Sequence, residues 1–142
     1  MKKILVINGP NLNMLGVREP EVYGDMTLDA INTRIASEAE VMRIEVDFFQ
    51  SNSEGGIIDA IQSAEGEADG IILNAGAYTH YSYAIRDAIS SISVPCVEVH
   101  LSNIFARDDF RHDSVIAPVC AGHISGFGIK SYLLALRALV QK

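Results

Sequence analysis

Lys3-Ile4-Leu5-Val6-Ile7-Asn8-Gly9-Pro10 decides how the chain is to be read. Four apolar residues follow two lysines, and a signal peptide is the first thing to test. The apolar run is too short for one, and Asn8-Gly9-Pro10 ends it with turn residues, so the segment reads as a first, buried strand. Moving outward, apolar runs alternate with segments of helical period. Residues 27–42 carry Leu28, Ile31, Ile35 and Ala39 along one helix face, with Thr27 as the N-cap. Residues 43–50 read as a second strand, 57–68 as a helix, 70–73 as a short buried strand and 80–91 as a helix. Residues 94–101 form the fourth strand, 115–118 are the candidate for a fifth, and 129–140 close the chain as a helix. Strands alternating with helices predict an α/β domain with a parallel sheet.

Composition agrees and narrows the function. The 142 residues are 49% hydrophobic and 20% charged, so they suit one globular domain with a sizeable core. No apolar run approaches the roughly 20 residues of a membrane span. A formal net charge of −7 argues against nucleic acid as a partner, because that footprint would be a basic stripe. Cys96 and Cys120 each sit in an apolar stretch and read as buried thiols, with the cytoplasm as the expected location.

Two long polar loops, 9–26 and 102–114, each follow a strand, and so does the segment 74–79. Loops of this length inside a compact domain are usually functional. All three are expected beyond the carboxyl ends of the strands, where open α/β sheets bind their ligands.

The first loop reads Gly9-Pro10-Asn11-Leu12-Asn13-Met14-Leu15-Gly16-Val17-Arg18-Glu19-Pro20-Glu21-Val22-Tyr23-Gly24. Its glycines are too far apart for a dinucleotide fingerprint or a P-loop. It does carry an arginine and a tyrosine that could meet. A tyrosine with its usual pKa of about 10 costs about 4 kcal/mol to ionise at neutral pH, and a guanidinium within about 6 Å recovers roughly 1–3 units of that pKa. Spacing alone leaves the bland alternative standing, a loop tyrosine packed on aliphatic neighbours.

The fourth strand ends Glu98-Val99-His100, and residues two apart in a strand share a face. A carboxylate beside an imidazole can fix its tautomer and favour the proton-donating form. A surface ion pair and a metal site with His80 are the competing readings, though no metal-ligand spacing supports the second. Asn74-Ala75-Gly76-Ala77-Tyr78-Thr79-His80 joins a strand to a helix in a manner that suits a carboxylate, and Asp87 falls two turns beyond His80, on the same helix face. The last loop supplies Arg107, Arg111 and His112, which place positive charge locally despite the acidic total. Gly126-Phe127-Gly128-Ile129-Lys130-Ser131 mimics a phosphate loop but comes too late in the chain, and reads as a helix start.

With these residues assembled, the chain resembles the type II 3-dehydroquinate dehydratases. Residues 8–24 look like that family's signature, and 74–87, 98–103, 107–112 and 126–139 are similar in the same order. The resemblance implies a flavodoxin-like three-layer sandwich with a five-stranded parallel sheet, formed by residues 1–142 as one catalytic domain. It implies a cofactor-independent, metal-free lyase of the shikimate pathway, eliminating water from 3-dehydroquinate in the anti sense through an enolate. Tyr23, activated by Arg18, would take the proton beside the ketone, and Asn11 would stabilise the enolate through a water. His100, paired with Glu98, would protonate the departing hydroxyl. Asn74, Gly76, His80, Leu101, Ser102 and Arg111 correspond to substrate-binding positions, and Arg107 to a loop arginine that closes over the site. Asp87 corresponds to a residue reaching in from a neighbouring subunit, implying a homo-oligomer, typically a dodecamer built as a tetramer of trimers. The same step serves aromatic amino-acid biosynthesis and quinate breakdown.

Departures are modest: Ala75 replaces a common proline, Tyr81 a small hydroxyl residue and Ser53 a frequent histidine. Schiff-base chemistry is disfavoured, because Lys2, Lys3, Lys130 and Lys142 all fall outside the three loops. The competing class is a flavodoxin-like flavin-binding or signalling module. A receiver would want acidic residues after the first strand, and a flavodoxin a Ser/Thr-rich loop there; neither is present.

Overall fold

The computed structural model describes residues 1–17 and 26–141. Five strands, β1 (Lys3–Asn8), β2 (Glu45–Gln50), β3 (Gly70–Asn74), β4 (Cys96–His100) and β5 (Gly122–Ser125), form one sheet in the order β2-β1-β3-β4-β5. Every pairing is parallel. Four α-helices cover it: α1 (Leu28–Val41), α2 (Glu54–Ser63), α3 (Tyr83–Ser90) and α4 (Lys130–Val140). This is the flavodoxin-like order, whose crevice lies where the strand order reverses, beside β1 and β3.

Period-two alternation sorts the central strands into two cores. Ile4 and Val6 of β1, Ile72 of β3 and Val97 and Val99 of β4 face α1 and α4, meeting Ile31, Ile35, Tyr132 and Leu136. Ile7, Ile71, Leu73 and Cys96 face the opposite way, against Ile57 and Ile61 of α2 and Ile85 and Ile89 of α3. Both faces of β1, β3 and β4 are therefore covered, which is why these strands read as continuous apolar runs.

Helix ends follow local chemistry. Thr27, Ser53 and Ser82 cap α1, α2 and α3, each accepting from the backbone N–H three residues on. Ser53 thus has a defined structural job. Helix α1 ends in a Schellman motif: Ile44 N–H reaches Ala39 O at 2.8 Å and Arg43 N–H reaches Glu40 O at 3.1 Å. Arg43 takes φ 58° to close it, and so belongs to the turn and not to the strand expected from residue 43.

The fifth strand is not at 115–118. Ala117–Val119 form a 3-10 turn, where Pro118 has no N–H to give a ladder, and Ile116 is buried in the second core. The strand is Gly122–Ser125, half-buried at the sheet edge and paired Val97↔Gly122, Glu98↔His123, Val99↔Ile124 and His100↔Ser125. Helix α3 likewise starts at Tyr83, leaving His80 in a separate 3-10 turn, Gly76–His80.

Two ties draw the loops together at the carboxyl edge. Gly9 N–H donates to Asn74 O at 2.7 Å, and a Cβ at Gly9 would lie 2.8 Å from the Ala75 backbone. Only glycine admits that approach. From below, the fully buried Tyr132 of α4 donates to Asn8 Oδ1 at 2.6 Å and accepts from Asn74 Nδ2 at 3.0 Å. The last residues of β1 and β3 are thereby held by one hydroxyl. Tyr132→Phe strips a partner from two buried amides, and should cost about 1–3 kcal/mol of stability in urea unfolding. An unchanged midpoint would show the tie to be dispensable.

Candidate active site

Beyond the ends of β1, β3 and β4, a cavity of about 120 Å³ opens. It is lined by Pro10, Asn11 and Leu12 from the first loop, and by Asn74, Gly76, Ala77 and His80 from the turn after β3. The β4 end and the following loop add His100, Leu101, Ser102, Ile104, Arg107 and Arg111. The three segments expected to converge do so. Asn11, Asn74, Gly76, His80, His100, Leu101, Ser102, Arg107 and Arg111 all meet at one space.

Beneath His100 lies Glu98, fully buried on the same face of β4. His100 Nε2 donates to Glu98 Oε2 at 2.5 Å, and Ser114 Oγ donates to Oε1 at 2.7 Å. Ser114 in turn accepts from Ala117 N–H at 3.0 Å. Burial alone would push the Glu98 carboxyl up. The hydrogen bond and charge of His100, the Ser114 hydroxyl and the nearby His123 outweigh it and hold the carboxyl below its usual range. Glu98 is therefore an anion whose partners have fixed positions. With Nε2 committed to Glu98, His100 has Nδ1 as its other ring nitrogen.

The remaining groups are held by backbone. His80 Nδ1 lies 2.7 Å from Asp113 O; a carbonyl can only accept, so Nδ1 carries the proton. Burial keeps His80 below the ordinary histidine range, which favours the neutral ring with Nε2 free to accept. Asn74 Oδ1 accepts from Gly76 N–H at 3.2 Å while Nδ2 reaches Tyr132, so the amide's orientation is set from both ends. Gly76 takes φ 60°, with Pro10 O only 3.1 Å from where a Cβ would stand. Asn11 has left-handed φ 69°, with its N–H on Asn52 Oδ1 at 3.0 Å. Arg111 stacks on Phe110 at 4.7 Å and lies 3.6 Å from Asp108. His112 Nε2 donates to Arg107 O at 2.9 Å, which pins the loop backbone there.

Asp87 stands apart, exposed on α3 and outside the cavity lining. Because His80 precedes α3, the two do not share a helix face. Arg18 and Tyr23 lie outside the described residues. Sequence reasoning missed Ser114, Tyr132, Asn8, Asn52 and His123. Four of them act through partners far along the chain, and no spacing rule links them. His123 stood within reach of detection, because correct placement of β5 would have registered it against Glu98.

Comparison with known proteins identifies the chain's relatives. The family model for class II dehydroquinases matches residues 2–140. A protein named 3-dehydroquinate dehydratase from Caldicellulosiruptor bescii is 60% identical over 140 residues, 98% of this chain and 97% of the relative. One of the same name from Bacillus cereus strain AH187 is 61% identical over 142 residues, 100% of this chain and 97% of the relative. The crystal structure of the type II dehydroquinase from Butyrivibrio crossotus superposes with a TM-score of 0.95 at 52% identity, covering 97% of each chain. The chain belongs to the class II dehydroquinase family.

Proposed function

We propose that this protein is a hydro-lyase that removes water from 3-dehydroquinate to give 3-dehydroshikimate, the step the family contributes to the shikimate pathway. The observation that carries this reading is His100, backed by the buried Glu98 carboxylate and facing a small polar cavity. Elimination next to a ketone needs a base for the carbon acid, a proton donor for the departing hydroxyl, and dipoles for the enolate between them. His100 is the proton donor, oriented by its hydrogen bond to Glu98. Tyr23, its phenol made more acidic by Arg18, is the base. Asn11 stabilises the enolate oxygen through a water.

Asn74, Gly76, His80, Leu101, Ser102 and Arg111 hold the hydroxyls and carboxylate of the substrate, and Arg107 closes over it. The arginines answer the charge problem, since an anionic substrate meets local positive charge on an acidic protein. Acid and base are both side chains, so the reaction calls for no cofactor. A flavin-binding module is disfavoured because the loop after β1 lacks the Ser/Thr-rich run a flavodoxin would place there. Two free cysteines, Cys96 and Cys120, suit a reducing compartment, and the cytoplasm is the assigned location. No helix among the described residues is long and apolar enough to cross a membrane.

The working unit is a homo-oligomer, a dodecamer arranged as a tetramer of trimers, in which Asp87 completes a neighbour's site. Apolar exposure supports it. Tyr81 and Tyr83, a few residues before Asp87 in sequence, are 59% and 67% exposed, and Phe105, Phe127 and Leu134 are also exposed. Light scattering should give a mass many times 15.4 kDa, and a fully active monomer would remove Asp87 from the site.

Activity is read from the ultraviolet absorbance of the conjugated enone formed from 3-dehydroquinate. Tyr23→Phe should lower kcat by about 10²–10⁴ with little change in substrate affinity. A near-normal rate would mean that another group is the base.

A further inference from the structure

His123 is an ionisable group beside the site that the proposed reaction leaves unused. It sits on β5 in register with Glu98, so the two side chains leave the same face of adjoining strands. Its ring packs edge-on against His100, with centroids 5.6 Å apart. Its Nε2 is screened from solvent and has no hydrogen-bond partner among the described residues. An orphaned imidazole nitrogen in the interior is costly, and it asks for a ligand. One ligand atom from each of Glu98, His100 and His123 lies within 4.8 Å of the other two.

We propose that Glu98, His100 and His123 form a binding site for a borderline divalent metal ion, with zinc the best fit, and that its occupancy switches the enzyme off. Two imidazoles and a carboxylate are a donor set that zinc prefers to magnesium or calcium, which want oxygen alone. Ligands about 2.1 Å from zinc in tetrahedral array stand roughly 3.4 Å apart, inside the span these atoms already cover. The Glu98–His100 contact of 2.5 Å must open by about 1 Å to admit the ion, a small side-chain rotation in scale. Ser114, already on the other Glu98 oxygen, holds the carboxylate in place as it turns.

The consequence follows from proton balance. Zinc takes the position of the proton shared between His100 and Glu98, so binding releases a proton from the site. A metal-bound imidazole keeps a single N–H and is a far weaker acid than imidazolium. It no longer delivers a proton to a departing hydroxyl. The binding itself depends only on the three side chains; its inhibitory effect rests on the assignment of His100 as proton donor.

The experiment titrates zinc chloride into chelator-treated oligomer, reading enone formation and, separately, calorimetric stoichiometry. Cobalt chloride serves as a spectroscopic stand-in, because visible absorption reports a four- or five-coordinate nitrogen–oxygen site. The expected result is one ion per chain, a cobalt band, and inhibition reversed by EDTA. Turnover of His123→Gln, with His123→Ala as a second variant should the amide pack poorly, is read against each variant's own metal-free rate. Each should raise the half-inhibiting zinc concentration by at least roughly tenfold. Absence of binding, or equal binding and inhibition in both His123 variants, would overturn the site. Binding that needs His123 but leaves turnover untouched would uphold the site and overturn the proton-donor assignment, so the two failures are told apart.

Discussion

The interaction on which the active edge depends is the buried carboxylate of Glu98. A charge with no solvent exposure is tolerable only when its oxygens are satisfied, and here each has one designated partner, His100 and Ser114. Both partners are therefore pinned. His100 cannot rotate away without stranding an anion in the interior, and Ser114 ties the loop after β4 to the sheet below it. The low local dielectric that makes this arrangement expensive to break also makes it rigid. A rigid imidazole at the mouth of a small cavity is what proton transfer to a fixed leaving group requires.

Around that pair, backbone contacts shape the cavity. Gly9 lets the first loop touch the Ala75 turn, Tyr132 holds Asn8 and Asn74, and Asn52 fixes the Asn11 backbone. The site is built at the switch point of the sheet, where loops after neighbouring strands diverge and leave a crevice. Its positive groups, Arg107 and Arg111, come from one loop that also carries Asp108 and Asp109, but both arginines line the cavity and neither aspartate does. Local field and global charge are thus separate properties of the chain.

Much of this was legible beforehand, for identifiable reasons. Central strands covered on both faces read as apolar runs, and Thr27 with its following helix obeys a local rule. Glu98 and His100 are two residues apart, a distance at which strand geometry alone dictates a shared face. Errors arose where tertiary context decides. Strand β5 is short, half-buried and contains His123 and Ser125, so it has no apolar signal; Val115 and Ile116 had one, but serve a loop packed on the second core. By composition a 3-10 turn and a capping serine look the same as a helix start, so sequence alone reads His80 as helical. Tyr132 lies 124 residues from Asn8, and only the closed fold brings them together. The proposed roles of Arg18, Tyr23 and Asp87 came from family resemblance, since spacing left each with an ordinary alternative.

The most direct measurement of the central claim is steady-state turnover of 3-dehydroquinate by Glu98→Gln, an isosteric change that keeps an acceptor for Ser114 and removes the charge. If the buried anion is what makes His100 a competent proton donor, kcat falls by about 10²–10⁴ while KM stays within a few-fold of the parent. A folded, oligomeric Glu98→Gln protein with near-parental kcat would contradict the account, leaving the Glu98–His100 pair a structural tie and sending the search for the proton donor elsewhere in the cavity.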